Sequence, residues 1–179
     1  MNKNIVIIAV ILLVGFGAYY ISSNKGTTNE SNQSTAQTYY NAARGIKFQY
    51  PSEWSVDSQV VDGPNPIIAK FDKDADTSLQ LLHSENIDDL TFDSYATSSL
   101  EALEFTPGYT LISEETIDVN GVKTYQVTAT YEGDIKGRSI YFMSPDNSRL
   151  FVIIYRSTQD KFDQFLSEFD GTLNTLELN

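Results

Sequence analysis

The chain has 179 residues, with 24 acidic and 12 basic side chains, a net charge of −12 and no cysteine. Nucleic acid is therefore a poor partner, because binding to phosphates needs a basic surface. The absence of cysteine excludes thiol nucleophiles, thiolate metal sites and disulfides.

The first element in chain order is an apolar stretch at residues 5–21. No charge occurs between Lys3 and Lys25, and an α-helix over this window would be about 31 Å long, close to the thickness of a bilayer's hydrocarbon core. We expect a transmembrane signal-anchor helix, with residues 1–4 in the cytoplasm and the remainder outside the cytoplasm at the cell membrane. A signal peptide cleaved near Gly17 or Ala18 is the alternative.

A polar segment follows at residues 22–44. It is rich in Ser, Thr, Asn and Gln, so it buries little apolar surface and is predicted to be a flexible stalk. Asn29 and Asn32 each begin an Asn-x-Ser sequon. Glycosylation at these two positions stays open.

The first half of the domain predicted at residues 45–179 combines strands with one helix. Apolar residues alternate with polar ones at 46–50, which is typical of a half-buried strand. Residues 67–71 and 79–83 are predicted to form a hairpin around an Asp-rich turn. The apolar spacing then becomes helical from residue 91 to residue 104, with Thr91 placed as the N-cap.

The second half returns to strands and ends in a helix. The pair Asn120-Gly121 predicts a type I′ hairpin, and residues 150–155 are apolar on both faces, so their strand should be covered on both sides. Phenylalanine recurs at helical spacing after Asp160. We expect a helix with a capping-box-like start at Ser157 and with Gly171 at its C′ position.

Four stretches of this domain carry a family resemblance. They are Gly45-Ile46-Lys47-Phe48-Gln49-Tyr50-Pro51-Ser52-Glu53-Trp54, Val119-Asn120-Gly121 with Tyr125-Gln126-Val127, Leu150-Phe151-Val152-Ile153-Ile154-Tyr155, and the closing helix to Phe169. Together they resemble the PsbP-like family. The resemblance implies an α+β fold, a central antiparallel β-sheet with helices on both faces, and a non-catalytic accessory role on the outer side of a membrane. It assigns no functional residue, because the matching residues describe a scaffold.

The Asp-rich turn is the first candidate site. Asp72, Asp74 and Asp76 have the spacing of the first ligands in a calcium loop, but Thr77 and His83 stand where that loop needs Gly and Glu. A turn held by local hydrogen bonds is the favoured interpretation. A weak cation site that is completed by carboxylates nearby in the sequence is the alternative; these are Glu85, Asp88 and Asp89.

Two further patterns suggest catalysis and are weighed against simpler explanations. His83 is the only histidine, but no nucleophile and orienting group can be placed around it from spacing. Glu114, Glu115 and Asp118 could serve an envelope hydrolase, yet neighbours on a strand point to opposite faces, and charges on an exposed edge discourage aggregation. The 133–137 segment lacks the ending of a phosphate loop and is predicted to be a hairpin turn.

The sequence thus predicts a transmembrane helix followed by an αβα sandwich of PsbP-like type. We expect a membrane-tethered, non-catalytic domain that binds or stabilises a protein partner or complex at the cell surface. No catalytic residue, metal ligand or cofactor is assigned.

Overall fold

The computed structural model describes residues 35–57, 66–85 and 91–179. The strands and helices formed there are β1 (Ala36–Asn41), β2 (Ile46–Pro51), β3 (Ser55–Asp57), β4 (Ile67–Asp72), β5 (Ser78–Glu85), α1 (Phe92–Leu103), β6 (Thr110–Val119), β7 (Val122–Tyr131), β8 (Ile135–Met143), β9 (Arg149–Thr158), α2 (Gln159–Leu173) and β10 (Glu177–Leu178).

Seven of the strands form one antiparallel sheet in the order β3-β4-β5-β9-β8-β7-β6. The turn predicted at Asn120-Gly121 joins β6 to β7, and both residues have positive φ, 54° and 81°. Strand β9 lies at the centre. Its residues 150–155 are at most 8% exposed, which confirms a strand covered on both faces.

Different elements cover the two faces of this sheet. On one face, α2 and the smaller sheet β1-β2-β10 enclose a core that contains Phe48, Phe71 and Phe169. On the other face, α1 packs through Tyr95 and Leu103 onto a second core. The α+β sandwich with helices on both faces is therefore confirmed, with a second antiparallel sheet that the sequence did not predict.

The end of the predicted stalk is corrected. Residues Ala36–Asn41, assigned by sequence to the segment 22–44, form β1 and pair in full register with β2. The physical reason is one aromatic side chain: the ring of Tyr39 lies 5.2 Å from that of Phe48 and 5.5 Å from that of Phe71. Burial of such a ring stabilises a strand that is otherwise polar.

Both predicted ends of the last helix are wrong. Helix α2 begins at Gln159 after Thr158, while the side chain of Ser157 is buried and exchanges a 2.7 Å hydrogen bond with Thr77. Gly171 lies inside the helix, which continues to Leu173. Phe169 and Leu173 are both buried, so packing extends the helix beyond the glycine, where local propensity predicted its end.

The predicted membrane helix at residues 5–21 and the sequons at Asn29 and Asn32 lie outside the described residues. Within residues 35–57, 66–85 and 91–179, no helix has both the length and the apolar character needed to cross a bilayer.

Candidate functional site

An open groove of about 590 Å³ lies between α1 and β6. Helix α1 forms one wall, and β6 with Tyr125 of β7 forms the other. We call it the α1–β6 groove, and its lining residues are Asp93, Ala96, Thr97, Leu100, Glu101, Glu104, Glu114, Glu115, Thr116 and Tyr125.

The spacing of residues along α1 explains which side chains face the groove. Phe92, Tyr95 and Leu103 recur at helical spacing and pack against the sheet, so the stripe beside them, Asp93 to Glu104, is turned to the groove. The helix begins where the sequence predicted: the hydroxyl of Thr91 accepts a 3.2 Å hydrogen bond from the backbone N–H of Ser94.

The groove combines an apolar floor with acidic rims. Ala96 and Leu100 are partly buried, whereas Glu101, Glu104 and Glu114 are exposed. Among the described residues that line it, none is basic. The negative end of the α1 dipole adds to the same field, because Glu101 and Glu104 lie at the C-terminal end of that helix.

The negative charge of the groove acts on the pKa of two tyrosines. Burial raises the pKa of Tyr109, and the charges of Glu114 and Glu104 raise it further. Burial also raises the pKa of Tyr125, and the Glu114 carboxylate, which accepts a hydrogen bond from the Tyr125 hydroxyl, adds to this shift. A cation bound in the groove would therefore interact with carboxylates that have few basic side chains near them.

Strand β6 is the edge of the seven-stranded sheet beside this groove. It pairs with β7 on one side, and no described strand pairs with its other side. Exposed apolar side chains cluster at its start and in the connection from α1: Phe105 is 78% exposed, Leu111 42% and Ile112 53%. A row of unpaired backbone groups beside exposed apolar side chains is a template for binding another chain.

The carboxylates suggested for a hydrolase do not converge. Glu114 accepts a hydrogen bond from Tyr125, and Glu115 accepts one of 2.7 Å from Gln126. Tyr125 and Gln126 are neighbours in β7, so the two glutamates extend to opposite faces of the sheet, as strand alternation predicts. Asp118 caps the hairpin turn by accepting a hydrogen bond from the N–H of Gly121.

The Asp-rich turn is a structural hairpin. Asp74 accepts 2.8 Å hydrogen bonds from the N–H groups of Asp76 and Thr77, and Lys161 of α2 binds the carboxylates of both Asp74 and Asp76. Partial burial acts to raise the pKa of Asp74, but these donors outweigh it and hold the pKa below its usual value. Within the described residues, no group of three potential ligands is arranged to hold a metal ion.

His83 is a core residue of β5. It is 2% exposed, its ring lies 5.0 Å from that of Phe151, and the guanidinium of Arg44 donates a hydrogen bond to its Nδ1 atom. The predicted β7–β8 turn lies at residues 132–134, with positive φ at Gly133 and Asp134, and residues 135–137 already belong to β8.

Sequence reasoning missed most of the groove. The polar stripe of α1 and its end was visible as Asp93, Thr97, Glu101 and Glu104, which are spaced by three or four residues. That spacing indicates only an exposed helix face. The placement of this stripe opposite β6 depends on the chain between residues 104 and 110, for which no local pattern predicts a direction.

An unpaired strand beside an open groove is typical of a small partner-binding domain. The chain belongs to the PsbP-like protein family, whose family model matches residues 4–177. No curated protein is significantly similar to it in sequence.

Solved structures share the fold at low sequence identity. Cyanobacterial PsbP (CyanoP) from Synechocystis sp. matches with a TM-score of 0.62 and 18% identity, over 86% of this chain and 98% of that protein. The Ran-binding protein Mog1p of Saccharomyces cerevisiae matches with a TM-score of 0.55 and 9% identity, over 82% and 96%. LpqN of Mycobacterium tuberculosis, involved in cell envelope biogenesis, matches with a TM-score of 0.52 and 14% identity, over 83% and 92%.

Proposed function

We propose that this protein is a membrane-tethered, non-catalytic domain that binds and stabilises a partner protein on the outer side of the cell membrane. The observation that carries the proposal is the exposed edge of β6, with the α1–β6 groove and the exposed apolar residues Phe105, Leu111 and Ile112 beside it. These features offer a surface to a second macromolecule.

The tether rests on the sequence. An uncharged window long enough to span a bilayer precedes the domain, and the match to the family begins at residue 4, so this window lies inside the matched region. Lys3 and the amino terminus before the window favour a cytoplasmic N-terminus and an external domain.

Binding is favoured over the hydrolase suggested by Glu114, Glu115 and Asp118, because those carboxylates do not converge. An enzyme of the carboxylate type needs two carboxyl groups that converge on one substrate bond, whereas Glu114 and Glu115 extend to opposite faces of β6. The relatives of the same fold include a protein named for binding Ran and one involved in cell envelope biogenesis. The first is named for binding another protein, and the second for its part in a process of the cell envelope.

The tether and the orientation are tested in cells that carry a C-terminal tag on the full chain. We expect the protein to resist extraction by alkaline carbonate and its tag to be digested by protease added to intact spheroplasts. Release by carbonate would contradict the anchor, and protection of the tag in intact spheroplasts would contradict the external orientation.

Partner binding is tested by crosslinking in native membranes followed by purification in mild detergent. The control carries residues 1–34 on an unrelated soluble domain. We expect a reproducible crosslinked species that depends on residues 35–179. Recovery of the full chain alone, under conditions that preserve other membrane complexes, would overturn the proposal.

A further inference from the structure

We propose that the outer edge of β6 binds an extended, basic segment of the partner protein, which adds to the sheet as an eighth strand with its Lys or Arg side chains in the α1–β6 groove. This inference rests on the partner-binding function proposed above and names the chemistry of the partner.

The backbone of β6 provides the pairing surface. A register shift places one extra residue, Ile112, between Leu111 and Ser113, and the pairing with β7 is regular from residue 113 to residue 119. In a regular antiparallel strand, alternate N–H and C=O groups point away from the existing neighbour. These seven residues therefore present a row of donors and acceptors that an incoming strand can satisfy.

Charge selects the occupant of this edge. Strand β6 carries Glu114, Glu115 and Asp118 and contains no basic residue. A second copy of the chain would bring a second set of these carboxylates to the same edge, and like charges on directly paired strands are destabilising. A basic strand would instead gain opposite-charge pairs along the same edge, so the feature that opposes self-association favours a basic partner.

The α1–β6 groove fits a long basic side chain in particular. Its floor, formed in part by Leu100 and Tyr125, can cover the aliphatic stem of Lys or Arg, while Glu101, Glu104 and Glu114 at the rim meet the charged end. An acidic side chain would be repelled by the carboxylates of the rim, and a purely apolar side chain would satisfy the floor alone.

The chain's own segments outside the described residues do not supply such a strand. Residues 1–34 contain only two basic residues, Lys3 and Lys25, and residues 58–65 and 86–90 contain none. These segments therefore do not provide the basic strand, and the proposal assigns it to another protein.

The test uses the full chain in nanodiscs of zwitterionic lipid and four fluorescent ten-residue peptides. The first alternates Lys and Val, and the second alternates Glu and Val. The third and fourth are the Lys-Val peptide with every second backbone nitrogen methylated, on the Lys residues in one and on the Val residues in the other. Methylation keeps the charge and removes the hydrogen bonds that a strand donates. Binding is followed by fluorescence anisotropy, and the site by hydrogen exchange of the backbone amides.

We expect the Lys-Val peptide to bind, the Glu-Val peptide not to bind, and methylation of the face that pairs with β6 to weaken binding about tenfold or more, as loss of several backbone hydrogen bonds requires. Those amides of residues 113–119 that point away from β7 should become protected. Glu104→Lys should weaken binding about threefold or more, and Asp57→Lys, the same charge change on the opposite edge strand β3, should have a smaller effect.

Three outcomes would overturn the inference. If both methylated peptides bound as tightly as the unmethylated Lys-Val peptide, the peptide would be adsorbed by charge alone. If the Lys-Val peptide did not bind, a basic occupant would be excluded. If the chain formed a salt-sensitive dimer that was lost in Glu104→Lys, the occupant would be a second copy. A crosslinked partner complex that persists alongside any of these results would leave the proposed function standing and locate its interface elsewhere.

Discussion

The two helices cover opposite faces of the same sheet and are held in different ways. Helix α2 is tied to neighbouring elements by ion pairs: Glu168 with Lys73, Asp163 with Lys136, and Lys161 with the Asp-rich turn. On α1, the structure describes one ion pair, between Asp93 and Lys123, whose side chains are 82% and 56% exposed. The acids at the other end of α1 face the groove.

This difference separates a structural face from a binding face. On the α2 side, charges are matched within the chain and aromatic rings fill the space between layers. On the α1 side, unmatched carboxylates, an unpaired strand edge and exposed apolar residues occur together. Features that reduce stability or solubility are retained where another molecule can satisfy them, and the following changes probe whether the two faces differ as described.

The largest effect is expected from Phe169→Ala on the α2 face. Phe169 is 1% exposed, and its ring stacks on that of Tyr155 at 5.1 Å, so truncation should lower the free energy of unfolding by about 3–5 kcal/mol. Urea denaturation followed by tryptophan fluorescence measures this. The control Phe105→Ala, at a residue 78% exposed, should change it by less than about 0.5 kcal/mol. Equal losses would contradict the division into two faces.

The connection from α1 to β6 should be the next most sensitive position. Gly108 has φ of 68°, and a Cβ atom there would lie 2.5 Å from the backbone N of Glu132. Gly108→Ala should therefore cost about 1–3 kcal/mol and more than Gly121→Ala, which also has positive φ but meets no described atom within 4 Å. Thermal denaturation compares the two variants. A larger loss of stability for Gly121→Ala would mean that the backbone of Glu132 does not exclude a Cβ atom at residue 108.

The two helices also differ in whether a side chain caps their first turn. The Thr91 hydroxyl caps α1, whereas Thr158, at the start of α2, makes no side-chain cap hydrogen bond within the described structure. Thr91→Ala should cost about 1 kcal/mol, and Thr158→Ala clearly less. The measurement is the urea midpoint of each variant. A greater loss for Thr158→Ala would imply that α2 depends on its local start rather than on packing.

These helix starts also show how far the sequence could predict the structure. Thr91 was identified correctly because its cap is formed with Ser94, three residues away. Ser157 and Gly171 were assigned wrongly because tertiary partners, Thr77 and the core around Leu173, decide their roles. Strand β1 was missed for the same reason, since Tyr39 is partly buried against Phe71, which is distant in the sequence.

The α1–β6 groove could be predicted only in pieces. Glu114 and Glu115 were noted from sequence, and the explanation by an exposed edge strand agrees with the position of β6 in the sheet. The position of Glu114 beside Glu101 and Glu104 in the groove follows from the course of the chain between α1 and β6. Local patterns identify a strand or a helix, but the relation of two such elements in space is set by the packing of the whole sheet.

The smallest effect expected is a gain in stability at the groove. Glu101 lies in the last turn of α1, where a negative charge opposes the helix dipole and adds to the field of Glu104 and Glu114. Glu101→Lys should raise the free energy of unfolding by about 0.3–0.5 kcal/mol. Asp163→Lys, the same charge change on α2, should lower it by a similar amount, because it replaces the 3.1 Å ion pair with Lys136 by repulsion.

The salt dependence separates this electrostatic explanation from a general effect of helix propensity. Both changes in the free energy of unfolding should become smaller in 1 M NaCl, because salt screens exposed charges. If Glu101→Lys raises stability while it weakens binding of a basic peptide, the acidic end of α1 is retained for recognition at a cost in stability. A loss of stability in Glu101→Lys would instead show that this carboxylate is matched within the chain, and the contrast between the two faces would not hold.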